Sequence, residues 1–280
     1  MFKRLVCVCL CAVLALTCAA CGEKEPTATT AAPETQATVP TTEVPTEAPT
    51  TAPPATEAPT EASTEAPTEG PRWTQEVHSG LNEDGTFDEH TLFIGDSLTF
   101  LMITHYLKTY ECLGDAKYAV KAGVQMTAFF DERYPMTYDP NLNCLYPDEF
   151  EGLTMAEAAA SMGDDLHAVY IMLGTNYTPN ATAEDYIEIC EFILENCPHA
   201  TVHLQTIPYS PIVKYQTVND RIRGAYEYYQ EQGIERVMLL DTCTAIGNNL
   251  ISDKVHMNDT GRDNWYLALL AHARDNELPQ

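Results

Sequence analysis

The chain has 280 residues and a formal net charge of −26 at neutral pH. The nine Glu and one Lys of residues 22–71, with Lys3 and Arg4 before them, leave about −20 on residues 72–280, and a charge of that sign repels phosphates, excluding nucleic acid as an electrostatic partner. No apolar run of spanning length follows the N-terminus, which excludes a polytopic membrane protein; five of the ten cysteines fall within residues 1–21, too few being left for a disulfide-built scaffold.

Lys3 and Arg4 precede an apolar stretch from Leu5 to Ala20, the layout of an export signal. It ends in Cys18-Ala19-Ala20-Cys21-Gly22, which resembles a bacterial lipoprotein signal. The resemblance implies that Cys21 is acylated and becomes the new N-terminus. Residues 1–21 are therefore expected to be a signal peptide, and the mature protein to be extracytoplasmic, lipid-anchored to the bacterial cell membrane, touching it through that lipid only. Cys18 departs from the pattern, which usually has Leu there. Residues 22–71 repeat units such as Thr-Glu-Ala-Pro and hold ten of the 18 prolines. Without aromatics or a supply of large aliphatics they cannot bury a core, so a disordered Thr/Ala/Pro/Glu-rich linker is expected, able to extend up to roughly 150 Å.

Residues 72–280 read as one domain. Apolar runs predict strands at Leu92–Gly95, Tyr118–Val120, Ala168–Leu173, Val202–Ile207 and Val237–Leu240. Helical patterns cover Ser97–Tyr110, Met155–Met162, Ala183–Cys197, Val218–Gln232 and Gly261–Asn276. This alternation predicts an α/β domain, a parallel sheet of about five strands with helices on both faces. Residues 130–153 break the alternation; with Tyr134, Tyr138 and Tyr146 among several prolines and acids, they read equally as a lid or binding wall and as an irregular packed connection.

One segment carries a chemical signature: Phe93-Ile94-Gly95-Asp96-Ser97-Leu98-Thr99. Ser97 sits where a buried strand turns into a helix, so its hydroxyl can be exposed beside free backbone N–H groups. Read alone, Asp96 or Ser97 simply caps the helix. Three further blocks follow in order: Gly123 in Lys121-Ala122-Gly123, then Gly174-Thr175-Asn176, then Asp253-Lys254-Val255-His256 before the last helix. Together they resemble the SGNH, or GDSL, hydrolase family over about residues 90–275. The resemblance implies a three-layer α/β/α flavodoxin-like fold and a serine esterase with no metal or other cofactor. It implies Ser97 as nucleophile, His256 as base and Asp253 as its carboxylate. It also implies an oxyanion hole made by the N–H groups of Ser97 and Gly123 and the amide of Asn176. Asn176 read alone is equally a turn or cap residue. Tyr177 stands where the family often has Asp. It is expected to line the substrate pocket or only to pack, and Tyr209, after the fourth strand, is expected in another wall.

Of the remaining histidines, His203 alternates with apolar residues and reads as packing. Cys190 and Cys197 lie about 10 Å apart along one helix, too far to bond; Cys112, Cys144 and Cys243 are scattered. No Cys/His cluster has metal-ligand spacing, and no phosphate loop appears. The expected substrate is an acylated small molecule or carbohydrate bearing short acyl groups such as acetyl. An acyltransferase on the same site and a non-catalytic glycan-binding module are the alternatives.

Overall fold

The computed structural model describes residues 76–109, 113–138 and 143–276. The expected signal peptide and linker, Cys21 among them, and Cys112 lie outside these residues. The strands are β1 (Thr91–Gly95), β2 (Lys117–Lys121), β3 (Cys144–Leu145), β4 (Ala168–Met172), β5 (Thr201–Gln205) and β6 (Val237–Leu240). They form one sheet in the order β3-β2-β1-β4-β5-β6. Five strands are parallel, and β3 runs antiparallel at the β2 edge, pairing Val120 with Leu145 and Lys121 with Cys144. The expected five strands thus become six. β3 is only two residues long, too short for a periodic pattern to form.

The helices are α1 (Ser97–Thr109), α2 (Met155–Met162), α3 (Ala183–Asn196), α4 (Tyr215–Glu231), α5 (Thr242–Ile246) and α6 (Asp259–Asp275). Their ends follow local chemistry. Thr154 and Glu157 form a reciprocal capping box at the start of α2, with bonds of 3.1 and 2.8 Å. Asn258 Oδ1 accepts from the Gly261 N–H at 2.9 Å and starts α6 two residues before the expected Gly261. Helices α2, α3 and α4 pack in series on one side. On α1 and α6, the rings of Tyr106 and Tyr266 stack at 4.5 Å, and Trp265 of α6 meets Phe93 of β1. Every residue of β1, β4 and β5 is buried, as strands covered on both faces must be.

The chain runs outward from β1 to β2 and then returns to β4 on the other side of β1. The crossover directions diverge between β1 and β4, and ligands of open α/β sheets bind beyond the carboxyl ends of strands at such a switch point. Ser97 follows β1 directly, and Gly174-Thr175-Asn176 follows β4.

The opposite end of the sheet holds most of the histidines. His167 stacks between His78 and His90, with ring centroids 4.9 and 4.5 Å away. His203, fully buried, lies flat on Tyr170 at 4.3 Å. Its Nε2 is 2.9 Å from the His78 carbonyl, so Nε2 carries the proton, and Nδ1 accepts from His272 Nε2 at 3.0 Å. His167 and His203 stack on their ring neighbours while His272 meets His203 edge-on, and among the described residues no group of three or more His, Cys, Asp or Glu is arranged to hold a metal ion.

Burial, with the neighbouring His272, lowers His203 to about 3. Below its ordinary value near 6.5 the unfolded chain therefore takes up a proton that the folded protein refuses. Its contribution to stability is full above about pH 6.5 and declines as the pH falls toward 3. In urea unfolding, the advantage of the wild type over His203→Gln is expected to shrink by about 2–3 kcal/mol between pH 7.5 and 4.5. An advantage that does not change with pH would contradict this.

Candidate active site

Gly95 and Asp96 shape the turn that presents Ser97. A Cβ at Gly95 would lie 2.0 Å from Thr99 Oγ1 and 2.9 Å from the Met172 carbonyl oxygen; only glycine lets the first turn of α1 press this closely onto β1 and β4. Asp96 is fully buried and its Oδ1 accepts from the Leu98 N–H at 3.0 Å. Asp96 thus does the local capping work, which leaves the Ser97 hydroxyl for a distant partner. Burial raises the Asp96 carboxyl to about 6, against the opposing pull of the Leu98 N–H, Thr175 and His256.

That distant partner is His256. Its Nε2 lies 3.0 Å from Ser97 Oγ, across 159 residues of sequence. Its Nδ1 lies 2.7 Å from Asp253 Oδ2. The loop carrying both is tightly tied. Asp253 Oδ1 accepts from the Val255 and His256 N–H groups at 2.9 and 3.0 Å, the His256 carbonyl accepts from Ile251, and the Lys254 carbonyl accepts from the Ser210 hydroxyl. Lys254 holds a left-handed φ of 61°, a conformation a lysine keeps only when its surroundings enforce it. Desolvation works to raise the Asp253 carboxyl, but the bonds from the His256 ring and the two backbone N–H groups prevail and hold it at about 2. It is therefore an anion at neutral pH, accepting a proton bond from Nδ1 and leaving Nε2 to accept one from Ser97.

Two further loops close on this group. Gly123 has a φ of 79°, and a Cβ there would meet nothing within 4 Å. The backbone conformation, not packing, calls for glycine, and the space before it is open. Asn176 Nδ2 donates to the Val124 carbonyl at 2.8 Å, and Asn176 pairs with Gln125 in an isolated parallel bridge. One amide N–H of Asn176 thus locks its side chain to the Gly123 loop, while the second points elsewhere. Asn176→Ala removes both the lock and the second donor. Ester turnover is expected to fall by about 10²–10³-fold in kcat with a smaller change in KM; a loss confined to KM would contradict an oxyanion role.

The two tyrosines expected in the pocket walls have other neighbours. The Tyr177 ring has Lys214 Nζ at 4.9 Å and the Arg221 guanidinium at 5.3 Å from its centroid. Tyr209 meets Tyr215 edge-on at 5.1 Å. The aromatic loop divides in two. Met136 is buried and bonded to Leu153 and Gly152, so this part is a packed connection. Asp131, Arg133 and Tyr134 instead line a cleft beside Gly123. The sequence offered a binding wall as one reading of this loop but not its place beside Gly123, because nothing in the residue order shows that the loop doubles back there. Among the described residues Cys144, Cys190, Cys197 and Cys243 are free thiols, and no helix is long and apolar enough to cross a membrane.

No protein-family model matches this chain, and no curated protein sequence matches it significantly. Solved structures do align with it. A carbohydrate esterase family 3 protein from Talaromyces cellulolyticus is 17% identical, with a TM-score of 0.40 over 67% of this chain and 99% of its own. A lipase/acylhydrolase from Enterococcus faecalis is 16% identical, with a TM-score of 0.43 over 68% and 98%. The C-terminal catalytic domain of a peptidoglycan O-acetyltransferase from Streptococcus pneumoniae is 18% identical, with a TM-score of 0.41 over 67% and 95%. The chemistry of the site rests on its own geometry.

Proposed function

We propose that this protein is an extracellular, lipid-anchored serine esterase of the SGNH type, with residues 72–280 as its catalytic domain, acting on short acyl esters of carbohydrates. The observation that carries the reading is the hydrogen-bonded chain from Ser97 Oγ through His256 to Asp253, at 3.0 and 2.7 Å. A hydroxyl whose proton is already directed at an imidazole, with a carboxylate fixing the imidazole's tautomer, is the arrangement that acyl transfer requires. The basic head, apolar run and Cys21 of the N-terminus support export and lipid anchoring. The acidic domain fits a neutral, hydroxyl-rich substrate better than an anionic one.

In the first half-reaction Ser97 Oγ attacks the ester carbonyl while its proton passes to His256 Nε2. The new Oγ–C bond places negative charge on the carbonyl oxygen, which the Ser97 and Gly123 N–H groups and the free amide N–H of Asn176 receive. Asp253 stabilises the imidazolium. The C–O bond to the alcohol then breaks, and the alcohol leaves with the proton from Nε2. In the second half, water gives a proton to His256 and attacks the acyl-Ser97. The carboxylic acid leaves, and the proton returns to Ser97.

Hydrolysis of 4-nitrophenyl acetate, butyrate and octanoate by the full chain tests this reading. Acetate and butyrate are expected to be turned over with kcat/KM at least about tenfold above octanoate. No turnover of any ester overturns the enzyme reading, and a preference for octanoate overturns the short-acyl part. Transfer of acetyl to an added sugar in place of acetate release would replace hydrolysis with transfer.

A further inference from the structure

A cleft of about 210 Å³ opens beside Gly123, walled by Gln125, Thr127, Asp131, Arg133 and Tyr134. It adjoins the reacting centre through the backbone, since Gln125 bridges to Asn176 and Val124 accepts the Asn176 amide. It is smaller than the roughly 300–1,000 Å³ of sites for drug-sized ligands and has room for one small ring.

The chemistry of its walls is specific. Asp131 and Arg133 neutralise each other: the carboxylate accepts from the Arg133 backbone N–H at 3.0 Å, from Nε at 2.9 Å and from Nη2 at 2.6 Å. The pair therefore offers hydrogen bonds without a net charge. Arg133 uses Nε and Nη2 on this partner, so its Nη1 donors face outward. Gln125 and Thr127, both solvent-facing, each donate and accept. Tyr134 stands 41% exposed beside them, its ring 5.9 Å from the Arg133 guanidinium. The aliphatic part of the lining is confined to Val124 and Ala128, both almost wholly buried, too little apolar surface to hold a long acyl tail. An aromatic face next to paired donors and acceptors suits a ring that is apolar on one face and hydroxylated at its edges.

We propose that this cleft is the subsite for the alcohol half of the ester, a neutral pyranose ring seated on Tyr134 with its hydroxyls on Gln125, Thr127 and the Asp131–Arg133 pair. The sugar is thereby held while its acylated oxygen lies over Gly123. The proposal rests on the esterase reading and specifies its leaving group.

The test is calorimetric titration of the full chain carrying Ser97→Ala with partially O-acetylated cellotriose, which such a protein binds without consuming. Adding Tyr134→Ala is expected to weaken binding at least about tenfold, and adding Thr127→Val to weaken it about threefold. Circular dichroism melts check that each variant is folded. No binding by the Ser97→Ala protein, or binding that Tyr134→Ala leaves unaltered, overturns the proposal. Turnover of 4-nitrophenyl acetate by the wild type is read separately. Its absence removes the esterase reading itself, while its presence beside a failed titration removes only this subsite.

Discussion

In Ser97→Ala, hydrolysis of 4-nitrophenyl acetate is expected to fall by at least about 10⁴-fold while the fold is kept. The size follows from the chemistry: without the hydroxyl no acyl-enzyme forms, and only the donors around the oxyanion remain to help water attack directly. The fold is kept because the hydroxyl's bond is to His256, at 3.0 Å across the mouth, and the turn itself is held by Asp96 and by the close approach at Gly95. Two measurements check the outcome. Steady-state rates give the loss. Mass spectrometry of wild-type protein quenched during turnover is expected to place one acyl group on the peptide containing Ser97. Comparable rates in the two proteins, or the acyl group on another residue, would remove Ser97 from the reaction.

Asp253→Asn is the second large effect, and it separates orientation from packing. Asp253 uses its two oxygens differently: Oδ1 takes the Val255 and His256 backbone N–H groups, and Oδ2 takes His256 Nδ1. Asparagine keeps an oxygen for the backbone pair, so the loop with its left-handed Lys254 survives. The new NH2, however, donates toward Nδ1. The imidazole is driven into the tautomer protonated at Nε2, which cannot accept the Ser97 proton. A loss of about 10⁴-fold in kcat is expected, with substrate binding largely preserved. Denaturant unfolding of the two proteins checks that the loop is intact. A loss below about tenfold would mean that Asp253 does not set the tautomer.

The five parallel strands were legible because each centres on a short, mostly apolar run between turn-forming residues, and Met155–Met162 was legible because its alanine-rich face meets a capping box. The elements missed are those whose reason lies elsewhere in the chain. Cys144–Leu145 becomes a strand only because β2 offers it an edge. Helix α4 starts at Tyr215, ahead of the apolar periodicity that begins at Val218. The sequence motifs named Ser97, Asp253 and His256 together, and the structure brings these three side chains within hydrogen-bond distance of one another in series. What could not be read was which residues face the opening. The cationic neighbours of Tyr177, Lys214 and Arg221, come from a later helix and the segment before it, and Tyr134, embedded in an aromatic loop with no pattern, stands at the cleft because the loop folds back beside Gly123. Likewise, alternation marked His203 as packing, but its bonds to His78 and His272 depend on segments 125 and 69 residues away.

The entry of the chain into the sheet sets a direction. Residues 78–80 are fastened to the starting ends of the strands: the His78 N–H bonds Thr201 Oγ1, and the carbonyls of Ser79 and Gly80 take the hydroxyls of Tyr170 and Thr91. Ser97 lies past the finishing end of β1, about 15 Å away along five-residue strands. A protein held through the segment that leads into Glu76 is gripped by its back. Entry point and serine thus lie at opposite ends of the sheet, so a group attached just ahead of Glu76 stays clear of the mouth.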